Sequence, residues 1–238
     1  MHSEWAAYLR VLLALHIACG AVGFVCAPVA LASAKGGATH RRWGKIYFWA
    51  MTGVAATALA ISLVLPIFFL AMVSVFSFYL SFAAYRVLFL KDMYKGARAQ
   101  AMDWVAAIVT VLASFLLLVM GLLRPEIMRV GLIQVAGHRV SIVSIVFGAI
   151  GMRFGLSSIF RFIKPPAEKM FWWFDHMQGM IGSYIAAMTA FSSVNLGHWF
   201  GDAWWVWLWP TMVGVPAISM WRAYYKRKFS PKPRTVAA

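Results

Sequence analysis

A chain of 238 residues that is 63% hydrophobic and only 12% charged, with mean hydropathy +0.76, carries more apolar surface than a water-soluble ball can hide. The composition excludes that class and predicts an integral membrane protein. Its formal charge of +15 would suit a nucleic-acid partner, but the positions of the basic residues assign them to another role.

Apolar runs near the roughly 20 residues needed to cross a hydrocarbon core fall at 5–33, 41–65, 67–90, 103–123, 135–160, 171–196 and 204–224. They predict an all-α polytopic membrane protein of seven transmembrane helices. No Ser-, Gln- or Pro-rich stretch is long enough for a linker, so one domain is expected over 1–224, with a basic tail at 225–238. The first run is too long for a signal peptide and lacks a small-residue cleavage signature, so it is read as a permanent span. Cys19 and Cys26 lie within it as small hydrophobes, which suggests neither a disulfide framework nor a cysteine zinc site. His16 lies roughly a dozen Å down this helix if the helix enters near Tyr8. An ionisable group at that depth needs a partner or a cavity, and a neutral imidazole bonded to a backbone carbonyl is the plainer solution.

His40 opens the second run, with Thr39 as the expected N-cap. The second and third runs meet at Pro66, which implies a very short turn between antiparallel helices. Asp103, beside Trp104, opens the fourth run, and His138 starts the fifth. Asp175 and His176 open the sixth, and His198 ends it as an interfacial residue. Asp103 and Asp175 would also favour the positive end of a helix dipole with no further role, and His40 could rest among lipid phosphates.

Basic residues gather before helix 2 (Lys35, Arg41, Arg42, Lys45), after helix 3 (Arg86, Lys91, Lys95, Arg98), between helices 5 and 6 (Arg161, Lys164, Lys169) and in the tail. Among the other loops, only the one with Arg124, Arg129 and Arg139 breaks the alternation. The positive-inside rule then sets the N-terminus outside and the tail in the cytoplasm. The charge is thus read as topology plus attraction to anionic lipid, and not as a nucleic-acid surface. Trp199, Trp204, Trp205, Trp207 and Trp209 fit an outer aromatic belt.

With this topology His40, Asp103, Asp175 and His176 ring the cytoplasmic end, and His16, His138 and His198 lie in the outer half. Small residues share helical faces with three of the histidines: Cys19, Gly20 and Gly23 with His16, Gly44 with His40, and Gly179 and Ser183 with His176. A flat macrocycle needs such clearance, although helix packing in membranes uses small residues too. Positions 176, 179, 180, 183, 184 and 187 follow one helical stripe, which is expected to face the interior with Tyr184 at its edge. The methionines have no repeated spacing and are read as core.

The stretches "LHIACGAVGFVCAPVAL", "KGGATHRRWGKIYFWAM" and "DHMQGMIGSYIAAMTAFSSVN" resemble an uncharacterised bacterial family of predicted membrane proteins, a domain of unknown function. The family's motifs fall on His16, on His40, Arg41, Gly44 and Tyr47, and on His176, Ser183 and Tyr184. "FSFYLSFAAYR", "DWV" and "WLWPTMVGVPAISMWRAYY" are similar to its seven-helix branch, so the resemblance covers most of the chain except 124–160. Where the third motif often carries an arginine shortly before the tyrosine, this chain has Gly182. The resemblance implies a multi-pass protein of the bacterial cytoplasmic (inner) membrane and brings no activity with it.

Two mechanisms can be built on these residues. In one, the chain is a b-type cytochrome-like protein with haem between His40 and His176, and between His16 and His138, with a quinone or other redox partner. In the other, His40, Asp103, Asp175 and His176 hold zinc and activate water for hydrolysis of a lipid amide or ester. A non-catalytic transporter, an oligomer or an accessory subunit of a membrane complex is the third expectation.

Overall fold

The computed structural model describes residues 2–65, 67–123, 137–200 and 203–229, and the side chains within 7–65, 67–123, 142–200 and 203–229. The described residues are all-α, with seven long helices: α1 (His2–Ala32), α2 (Ala38–Val64), α3 (Phe68–Arg86), α4 (Ala101–Leu123), α5 (Gly137–Ile163), α6 (Phe171–Phe200) and α7 (Trp204–Phe229). Five of them are long and apolar enough to cross a membrane, over Ala7–Ala32, Ala38–Val64, Phe68–Phe89, Ala101–Leu123 and Ile142–Ile163. Such a set makes a multi-pass membrane protein. Helices α6 and α7 match the others in length but are less apolar. Helix α6 carries Asp175, His176, Gln178, Asn195 and His198, and α7 ends in Lys226, Arg227 and Lys228.

Two 3₁₀ turns, Val87–Phe89 and Lys91–Lys95, extend α3, and Gly96 stops the second with φ +100°, a conformation costly for any residue with a Cβ. Within the spans, hydroxyls bond to their own helix one turn back: Thr52 to Phe48, Thr57 to Gly53, Ser62 to Ala58 and Thr110 to Ala106. Buried hydroxyls can thus sit in an apolar layer without a second helix to satisfy them.

Helix α3 packs against α2, α4 and α6, while α1 pairs with α2, α4 with α5, and α6 with α7. Lipid offers no hydrophobic drive between helices, so close backbone approach must hold them together. Glycines supply it. Gly148 lies against Leu118 and the Ser114 carbonyl, Gly155 against Val111, and Gly179 against Ala84 and the Leu80 carbonyl. The apolar core centres on Phe69, Phe76, Leu80, Leu117 and Phe147.

Several expectations change. The N-cap of α2 is Gly37 and not Thr39, and it makes no side-chain cap bond. Of the five tryptophans assigned to a belt, Trp199, Trp204 and Trp205 are exposed, but Trp207 packs on the core and Trp209 donates Nε1–H to Ser192 at 3.1 Å. Pro66, the loop with Arg124 and Arg129, the His138 side chain and the tail from residue 230 lie outside the described residues.

Candidate functional site

The segments joining α1 to α2, α3 to α4 and α5 to α6, with the adjoining helix ends and the end of α7, carry most of the basic residues. At this basic end the structure brings together two of the histidines singled out by sequence. His40, in the first turn of α2, sets Nδ1 2.9 Å from the Ala30 carbonyl oxygen. His176, near the start of α6, sets Nδ1 2.8 Å from the Ala84 carbonyl oxygen. Ala30 and Ala84 belong to the last turns of α1 and α3, where carbonyls have no partner within their own helix. A carbonyl only accepts, so each Nδ1 carries the hydrogen. With Nδ1–H spent on a carbonyl, any other group bound by either ring must be met by Nε2.

The two rings lie 6.2 Å apart, centre to centre, at 75° to one another. That is the separation and tilt of an ordinary edge-to-face ring pair.

Seven residues further along each helix, Tyr47 on α2 donates its hydroxyl to Ser183 Oγ on α6 at 2.7 Å, and Ser183 donates in turn to the Met180 carbonyl at 2.9 Å. The helices therefore run in the same direction and in register for two turns, about 10 Å. The Tyr47–Ser183 bond closes the membrane side of the histidine pair. Trp43, Met180, Tyr184 and Ala187 pack around Cys26, Ala27, Tyr47 and Met51 there. The stripe on α6 faces inward as its spacing implies. Tyr184 meets Phe24 of α1, Ser183 meets α2 and Gly179 meets α3. Gly179 is thereby occupied in helix packing. A Cβ at Gly20 or Gly44 would meet nothing within 4 Å.

The carboxylates do not join the histidines. Asp103 accepts Arg86 Nε at 2.7 Å, Arg86 Nη2 at 3.0 Å and the Gln100 amide at 2.9 Å. Asp175 pairs with Arg161, which also donates to Ser158 at 3.0 Å. Among the described residues no group of three or more His, Cys, Asp or Glu is placed to hold a metal. The expected zinc set of His40, Asp103, Asp175 and His176 is therefore not assembled, because an arginine has claimed each carboxylate.

His16 stands apart. Its Nδ1 lies 3.2 Å from the Val54 carbonyl and 3.0 Å from Thr57 Oγ1, tying α1 to α2. It is fourteen residues, about 21 Å, up α1 from the Ala30 carbonyl that holds His40. The two histidines cannot share a ligand. His198 is exposed near the far end of α6.

Lys35, between α1 and α2, caps the same α1 terminus by donating to the Leu31 and Ser33 carbonyls. Burial holds its amine below the usual lysine range.

Sequence reasoning missed the arginines as partners, because Arg86 and Arg161 had been counted as loop charges. It also missed Arg153, whose signal was plain: an arginine inside the apolar run 135–160, ten residues from the end of α5. The Tyr47–Ser183 bond had a weaker signal, the matched offset of seven from each histidine. Comparison with family models, curated proteins and solved structures finds no match to this chain.

Proposed function

We propose that this chain is a b-type cytochrome-like electron carrier of the bacterial cytoplasmic membrane, with one haem held between His40 and His176. The observation that carries the reading is the histidine pair, with ring centres 6.2 Å apart and both Nδ1–H groups donated to carbonyls. The residues fit the group: two imidazoles that can present Nε2, the open space beside Gly44, and an apolar wall around Tyr47 and Met180. Haem would supply a one-electron couple there. The Ala30 and Ala84 carbonyls fix tautomer and ring orientation and raise the basicity of each Nε2. The Tyr47–Ser183 bond joins α2 to α6 seven residues beyond each histidine. All seven helices span in this reading, with the N-terminus outside and the basic end cytoplasmic. A quinone in the bilayer or a cytosolic protein would exchange the electron. His16, on α1 and bonded to α2, lies about 21 Å away and is too far to bind the same iron.

The test is the absorption spectrum of detergent-purified protein expressed with ample haem, together with a count of haem per chain. A low-spin spectrum with one haem per chain is expected. His40→Gln and His176→Gln should each abolish it, because glutamine can still donate to the capped carbonyl but is a poor iron ligand. His198→Gln should leave it unchanged. A colourless wild-type protein, or stoichiometric metal without porphyrin, would overturn the cytochrome reading.

A further inference from the structure

A cavity of about 1620 Å³ is lined from all seven helices, most densely from α3 and α6, and His16 but neither His40 nor His176 lines it. On α6 alone its lining extends from Asp175 to His198, a separation of 23 residues, or about 35 Å at helical rise, the full height of a hydrocarbon core. Most of the wall is apolar, with Leu70, Phe154, Ala186 and Val215 among its residues. The volume exceeds the roughly 300–1,000 Å³ of a pocket for a compact small molecule, and the length suits hydrocarbon chains.

Charge is confined to the basic half. Arg86, Arg153, Arg161, Arg222 and Lys226 line the cavity against only Asp103 and Asp175, five cationic side chains to two carboxylates, a net of +3. The two aspartates are consumed by Arg86 and Arg161. Arg153 has Ser157 Oγ at 2.9 Å and Arg222 has the Phe174 ring, and among the described residues neither has a carboxylate partner. Arg153 lies ten residues, about 15 Å, inside α5, where a charge without a counter-ion is costly, and its head reaches one turn towards the basic end. An apolar shaft with surplus guanidinium groups at one end complements an amphiphile whose anion carries several acceptor oxygens.

We infer that this cavity is a binding site for a two-chain anionic phospholipid from the bilayer, its phosphate held by Arg153 and Arg222 and its chains lying along α3 and α6. This inference does not depend on haem. The probes are phosphatidylglycerol and phosphatidylcholine with identical acyl chains, added to delipidated protein in neutral detergent and counted by native mass spectrometry. One phosphatidylglycerol per chain should survive collisional activation that strips phosphatidylcholine. The double variant Arg153→Gln, Arg222→Gln should lower the retained fraction about tenfold or more, as expected for two lost phosphate contacts. Ala186→Phe, which fills the shaft and leaves both arginines in place, should lower it as well, with circular dichroism unchanged. Equal retention of the two lipids, or a folded double variant or Ala186→Phe variant that keeps the lipid as the parent does, would overturn the assignment.

Discussion

Replacing Asp103 with Asn removes one charge from the most completely buried ion pair at the basic end. Asp103 is 3% exposed and its partner Arg86 16%. The carboxylate accepts three hydrogen bonds, two from the fork of Arg86 and one from the Gln100 amide. Asparagine keeps one acceptor oxygen, and its amide now faces a donor-only guanidinium. Removing one partner of a buried pair typically costs about 3–5 kcal/mol, because the remaining charge is left uncompensated. Arg86 keeps the side-chain oxygen of Gln100 at 3.0 Å, which favours the lower figure, about 3 kcal/mol. The measurement is a reversible denaturant titration in mixed micelles, run as a double-mutant cycle with Arg86→Gln. A coupling of about 2 kcal/mol or more between the two positions is expected, since the double variant removes the stranded charge. A loss below about 1 kcal/mol, or strictly additive single variants, would mean that the pair contributes no more than an exposed surface bridge.

The Tyr47–Ser183 bond predicts an asymmetry in the same titration. Ser183→Ala leaves a buried phenol without its acceptor and should cost about 1–3 kcal/mol, whereas Tyr47→Phe leaves Ser183 its bond to Met180 and should cost about 1 kcal/mol. Equal losses, or a larger loss for Tyr47→Phe, would contradict the donor assignment. For glycines the contrast is between Gly179→Ala, whose Cβ would lie 2.6 Å from the Ala84 Cβ and 2.8 Å from the Leu80 carbonyl, and Gly44→Ala, whose Cβ would meet nothing. The first should destabilise by about 1–3 kcal/mol as α3 and α6 are forced apart. The second should be neutral, or stabilising by up to about 1 kcal/mol through helix propensity, and tolerance of Gly179→Ala in a melt of the purified protein would refute the packing.

The seven helices were legible because a long apolar run is a signal of composition, and their observed ends lie within a few residues of those runs. The inward stripe on α6 was legible for a similar reason, since 176, 180, 183 and 187 obey a period that needs no knowledge of neighbours. Partnership was not legible. Asp175 and His176 are adjacent in sequence, but at helical pitch adjacent side chains diverge by about 100°. One therefore turns towards Arg161 of α5 and the other towards Ala84 of α3. No pattern along the chain could say which carboxylate would be claimed by an arginine from another helix. The zinc set failed for that reason, as it grouped residues by depth and had no information on azimuth. Gly44 and Gly179 looked alike in sequence for the same reason, yet one faces open space and the other a helix backbone.

The same azimuthal split divides the basic end into two physically distinct halves. On the α1–α2 side two histidines donate to the last carbonyls of α1 and α3, a task that a lysine in a loop also performs at Ala30 and Leu31. Capping alone needs only a donor. On the α4–α5 side Asp103 and Asp175 are each paired with an arginine, and the guanidinium excess faces a long apolar shaft. The first half carries the histidine pair, and the second an excess of guanidinium groups. Phe24, Tyr47, Ser183 and Tyr184 do not line the cavity, but Met51, Ala84, Gly179 and Ala187 of the histidine side do, so the two sites share a wall. The Ala186→Phe variant and the Arg153, Arg222 double variant change neither histidine nor the carbonyls that hold them, and should leave the His40–His176 pair intact.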